Sequence, residues 1–208
     1  MAEEMKRVTL LKSGSATLVE KKSEFIGYAC PVKDEDEAIE FVKSIKKKHS
    51  DARHNVYAYM IGQNVARYSD DGEPQGTGGI PVLDVIRKSG FTDAVIVVTR
   101  YFGGILLGAG GLVRAYSAAA KMAVDDAGIV TYNTYMQLDL TVNYTDYGKL
   151  TVCLSNANPI NDGTDFSENV TLSLALPVEA YEGFVSEVME ITAGRAVFTE
   201  KGTRFDKQ

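Results

Sequence analysis

Three carboxylates within four positions, Asp70, Asp71 and Glu73, stand in a glycine-rich stretch that runs from Arg67 and Ser69 through Gly72, Gly76 and Thr77 to Gly78 and Gly79. Carboxylates this close repel one another unless a cation, a metal or a partner offsets them. They have the oxygens to ligate a hard ion such as Mg²⁺ and the basicity to abstract a proton. A second stretch, Arg100 to Tyr116, has the opposite character: Arg100 and Arg114 flank Gly103, Gly104, Gly108, Gly110 and Gly111. The two windows hold nine of the 19 glycines, and ordering glycine costs on the order of 1 kcal/mol relative to alanine, so each demands unusual backbone angles or close approach. Each window follows an expected strand and opens into a helix, which aims backbone N–H groups at one point. Two arginines beside such amides describe an anion site, to which His54, Ser69 and Thr77 can add polar contacts. The equal alternative is that the arginines pair with Asp70, Asp71 or Glu73 across the loops. Tyr101, Phe102 and Tyr116 supply aromatic faces suited to stacking an unpaired base or to packing in a core.

The spacings exclude several standard chemistries. Reading G-x-G-x-x-G from Gly108 places Val113 where the third glycine belongs, and reading a P-loop from Gly103 places Ala109 where lysine belongs. His49 and His54 fit no zinc signature and have no serine or cysteine nucleophile motif to serve. Cys30 and Cys153 are isolated thiols, read as core packing. No catalytic residue, metal or cofactor is assigned.

The elements that must hold these loops are legible in the pattern. Residues 17–21 and 23–32 read as strands. Asp34 caps a helix to about Lys48, with Ala38, Phe41, Val42 and Ile45 at helical spacing. Its acidic start and its lysine-rich end both suit the helix dipole, with a nucleic-acid patch as the alternative for the lysines. Residues 55–61 and 65–69 flank Gly62-Gln63-Asn64 as a hairpin. A helix with Pro81 in its first turn and Gly90 as its stop precedes a buried strand, 94–99, and an alanine-rich helix ends at Gly128. Arg114 is expected in the first turn of that helix. The remainder reads strand 132–144, helix 147–157, strands 160–166 and 169–176, helix 177–192 and strand 195–205, the β-α-β-β-α-β order of a ferredoxin-like domain. The expected class is α+β in two domains, residues 1–130 and 131–208.

Charge divides the same way. Up to Gly128 there are 17 Lys+Arg against 17 Asp+Glu; from Ile129 onward there are 5 against 11, which carries the whole net charge of -6. An acidic domain is a poor partner for polyphosphate, while a neutral one can still carry a local basic patch. No apolar run approaches the roughly 20 residues that span a bilayer, and the acidic N-terminus lacks the charge of a secretory signal, so a cytoplasmic location without membrane contact is expected.

The segments RYSDDGEPQGTGGIP at 67–81 and VTRYFGGILLGAGGLVRAY at 98–116 resemble the signature of the IMPACT (YigZ-like) family. The likeness covers nearly all of residues 15–128, and the acidic remainder resembles the C-terminal domain of the bacterial members, itself similar to the last domain of elongation factor G. Gly78 departs from the pattern, where alanine is more usual. The resemblance implies an N-terminal fold like the second domain of ribosomal protein S5, a sheet with helices on one face, and a link to translation. Eukaryotic relatives restrain a starvation-sensing initiation-factor kinase through an added RWD domain; this chain begins at the Impact region, so that control is not expected of it. The combined expectation is a non-catalytic protein that contacts RNA or the ribosome through the two loops. The alternative is an enzyme for a small phosphorylated or nucleotide ligand, with Asp70, Asp71 or Glu73 as base or metal site.

Overall fold

The computed structural model describes residues 6–207. Two compact units divide the chain, Arg7–Thr131 and the residues from Tyr132 onward.

The N-terminal unit runs β1 (Lys6–Leu10), β2 (Gly14–Glu20), β3 (Ser23–Pro31), α1 (Glu35–Lys48), β4 (His54–Ile61), β5 (Val65–Ser69), α2 (Gly79–Ser89), β6 (Ala94–Tyr101) and α3 (Ala109–Ala127). An antiparallel sheet of order β2-β3-β6-β4-β5 forms its frame. The central strand β6 is an apolar run because both its faces are covered. Ile96 and Val98 face the cluster built with α2 and α3, while Val95 and Val97 pack with Ala38, Val42 and Ile45 of α1. Two helices thus share one face as expected, and the third, α1, covers the other. Asp34 caps α1 by accepting from the Glu37 N–H at 2.9 Å, and Lys46 to Lys48 fill its last turn.

The alanines of α3 bring it close to β2 and β3. Ala115, Ala119, Ala120 and Ala123 are buried, and a Cβ on Gly27 of β3 would lie 2.4 Å from the Ala119 carbonyl oxygen. Any larger residue at Gly27 would therefore push the helix off the sheet.

The C-terminal unit follows with β7 (Ile129–Val142), α4 (Tyr144–Lys149), α5 (Thr151–Ala157), β8 (Ile160–Phe166), β9 (Val170–Pro177), α6 (Val178–Ile191) and β10 (Val197–Lys207). Its strands pair antiparallel in the order β10-β7-β9-β8, the ferredoxin-like arrangement, and β1 joins this sheet as a fifth strand beside β7. The expected helix 147–157 is two short ones: Asn143 caps the first through the Asp146 N–H, and the Leu150 N–H is shared between the Asp146 and Tyr147 carbonyls. Such sharing tightens a turn and ends the regular ladder. Asp146 is buried against Arg195, which with Lys149 holds its carboxyl well below the usual range. No described helix is long and apolar enough to cross a membrane.

Candidate functional site

The antiparallel register of the N-terminal sheet sets Arg100 of β6 opposite both Phe25 of β3 and His54 of β4. The two glycine-rich loops leave the sheet at that edge. Each begins from a different strand, and each resolves its polar groups differently.

In the first loop the three carboxylates turn away from one another, each to its own partners. Asp70 accepts from the N–H groups of Gly76, Gly78 and Gly79 at 2.8 to 2.9 Å, and so caps α2 from a distance. Burial works to raise the Asp70 carboxyl, but the three N–H donors outweigh it and hold it below its ordinary value. Asp71 pairs with Lys46 at 2.6 Å and accepts from the Asn55 N–H at 2.7 Å. Its own N–H donates to the Ser69 hydroxyl, and its carbonyl accepts from His54 Nδ1 at 2.8 Å. The Thr77 hydroxyl donates to the Pro74 carbonyl and closes the turn. The amides of Gly76 and Gly78 are therefore engaged inside the loop. Among the described residues no three His, Cys, Asp or Glu side chains group to hold a metal.

Glu73 goes inward. Its Oε1 accepts from Arg100 Nη1 at 2.6 Å and from the Tyr116 hydroxyl at 2.8 Å, and all three residues are buried. Burial and then the charge of Glu73 push the Tyr116 hydroxyl far above its ordinary value. Arg100, 5% exposed, lies against the rings of Phe25 and Phe102 and reaches the Ser23 hydroxyl at 3.5 Å, while its Nε has no partner among the described residues. The Ser23 hydroxyl also accepts from the Gly103 N–H. A Cβ on Gly103 would lie 1.9 Å from the Lys22 carbonyl oxygen, so only glycine lets the second loop lie against the β2–β3 turn.

The second loop is less self-contained. Gly108 precedes α3 with no side-chain cap, so the first-turn amides of Ala109, Gly110 and Gly111 meet no capping oxygen. Gly104, Gly108, Ala109 and Gly110 are exposed, and Leu106 is 83% exposed. Between the loops lies a cleft of about 300 Å³. Gly72, Glu73 and Pro74 form one wall, and Phe102, Leu106, Leu107 and Gly108 the other. Arg53, His54 and Arg100 line it from the sheet, and Ala109 and Leu112 from α3.

The cleft thus unites His54, Gly72, Glu73, Arg100, Phe102 and Gly108 of the residues singled out by sequence, with Tyr116 bonded to Glu73 behind them. Others stand elsewhere. Arg67 is exposed and lies 3.8 Å from Glu35. Tyr101 turns toward α1, where its hydroxyl meets His49 Nδ1 at 2.9 Å and donates to Asp51. His49 Nε2 in turn meets the Tyr28 hydroxyl at 2.8 Å. Arg114 is the sixth residue of α3, in its second turn rather than its first, exposed and without a hydrogen bond or ion pair to any described residue. Sequence reasoning missed Arg53, Pro74, Leu106, Leu107 and Leu112. The cross-strand pairing of His54 with Arg100 is what brings Arg53 to the cleft, and an apolar pair in a glycine loop was the available signal for Leu106 and Leu107.

The family model described as the Impact N-terminal domain matches residues 21–124, and one described as a domain of unknown function (DUF1949) matches residues 140–195. The chain is similar to the IMPACT family member YvyE of Bacillus subtilis, 37% identical over 194 residues, covering 92% of this chain and 89% of that one. It is also similar to the IMPACT family member YigZ of Escherichia coli, 32% identical and covering 89% and 94%. The Protein IMPACT homolog of Dictyostelium discoideum is 33% identical over 61% of this chain, which spans 37% of that longer protein. Among solved structures, the crystal structure of a hypothetical protein matches with a TM-score of 0.60 and 29% identity over 93% of this chain and 96% of that one.

Proposed function

The chain belongs to the IMPACT family, and on that premise we propose that it is a non-catalytic cytoplasmic protein that binds phosphate groups of RNA, on the ribosome or free, and modulates translation. The observation that carries this reading is the uncapped start of α3 at the mouth of the cleft, with Arg53 lining the cleft and Arg114 on the second turn of α3 over the neighbouring hollow, two exposed cations without carboxylate partners among the described residues. Amides at a helix N-terminus favour an anion, and unpaired arginines position phosphate. Arg100 does not serve as a clamp here, because Glu73 already neutralises it. It braces the two loops instead. Phe102, half-exposed beside Arg53, adds a face on which a base can stack. Beyond Leu107 a second hollow is lined by Lys21 and Arg114, together with Glu20, and extends the basic surface.

The test is a titration of fluorescent single-stranded RNA at several salt concentrations. Binding should weaken as salt rises, and the Arg53→Ala/Arg114→Ala double variant should lower the salt slope by about 1.4, roughly 0.7 for each lost phosphate contact. Equal affinity of the double variant and the parent overturns the proposal. A second reading, a small phosphorylated ligand, draws support from the modest volume of the cleft, about 300 Å³. Of the three carboxylates in the first loop, only Glu73 lines that space.

A further inference from the structure

The polarity of the cleft is not uniform. Most of what it presents donates: the first-turn amides of α3, Arg53, and the buried Arg100, whose Nε–H has no partner among the described residues. Two side chains do the reverse: Glu73, whose Oε1 already holds Arg100 and Tyr116, and His54. His54 Nδ1 lies 2.8 Å from the Asp71 carbonyl, and a carbonyl only accepts, so the proton of the neutral ring is on Nδ1. Nε2 then carries a lone pair. It makes no hydrogen bond with the described residues and lies 3.8 Å from Glu73 Oε1, an acceptor already holding Arg100 and Tyr116.

Resting on the RNA reading above, we infer that His54 Nε2 accepts a hydrogen bond from a ribose 2′-hydroxyl and so makes the cleft select RNA over DNA. A phosphodiester has only acceptor oxygens; it can satisfy the amides and arginines but repels a lone pair. The donor that every nucleotide of an RNA strand carries beside its phosphate is the 2′-hydroxyl, whereas the donors on the bases differ from base to base. With a base resting on Phe102 and a phosphate at α3, the acceptor on the sheet side is left for the sugar. The recognition is independent of sequence.

The experiment compares one fluorescent single-stranded oligonucleotide in three forms, ribose, 2′-deoxy and 2′-fluoro, against the intact chain and His54→Asn. The 2′-fluoro strand keeps the ribose pucker but has no donor. Asparagine can still donate to the Asp71 carbonyl while removing the Nε2 acceptor, and a thermal melt reports whether the variant is folded. The ribose strand should bind the parent about 2- to 10-fold more tightly than either analogue, the range of one hydrogen bond. In His54→Asn that gap should close. Three strands of equal affinity for the parent overturn the inference and leave the phosphate reading standing, and this comparison needs no variant. A gap that survives in folded His54→Asn overturns it too. Absence of binding by any strand at low salt sinks both.

Discussion

The two glycine-rich loops are alike in glycine content and opposite in state. The first has consumed its own polar groups: one carboxylate caps a helix, one holds a lysine and a strand amide, and one neutralises a buried arginine. The second leaves a helix start uncapped, an arginine unpaired among the described residues and a leucine in water. Glycine content therefore signals where backbone must bend or approach closely, and the neighbouring carboxylates decide whether the exposed amides remain open to a ligand. Here the acidic loop is the support and the neutral one presents the surface.

The sharpest way to break this contrast is to remove the support. Glu73→Ala strands the charge of Arg100 between two rings, and should destabilise the fold by about 3–5 kcal/mol in denaturant unfolding. The double change Glu73→Leu/Arg100→Met should recover most of that loss, since it removes both charges together. If the single change is silent, the buried pair is not the brace described here.

Asp70→Ala ranks next, at about 2 kcal/mol, since three N–H groups lose their acceptor and some regain water. The sign of the pH effect follows from its lowered carboxyl. A carboxyl depressed in the folded state stabilises above its unfolded value, and that contribution disappears as pH falls below about 4. The parent should thus lose stability across this range more steeply than Asp70→Asn, and parallel curves for the two proteins would refute the capping role. Tyr116→Phe is the smallest test, about 1 kcal/mol for one hydrogen bond to Glu73, measured by the same unfolding.

Much of this frame was readable beforehand, and the unread parts share a cause. Caps, apolar periodicity and turn residues marked α1, the β4–β5 hairpin, the buried β6 and the stop at Gly128, because each depends on neighbours along the chain. The side of the sheet that α1 covers does not, since it depends on which of Val95, Ile96, Val97 and Val98 faces which way. The same holds for partner choice. Sequence left open whether Arg100 meets a ligand or Glu73, and only the register of β6 between β3 and β4 decided it. The break at Leu150 was hidden too, because a shared N–H leaves no mark on hydrophobic spacing.

One consequence lies on the far side of the sheet. Lys48 donates to the Tyr28 hydroxyl, and the Tyr101 hydroxyl donates to Asp51, so the ends of that short chain have fixed directions. The two phenols flank His49, and with a neutral ring all four contacts are satisfied together only when Tyr28 donates to Nε2 and Nδ1 donates to Tyr101. The imidazole is thereby locked as one neutral tautomer, in keeping with the lowering of its pKa by burial and by Lys48. A proton arriving on that ring would have to turn the Tyr28 hydroxyl hydrogen away from Nε2.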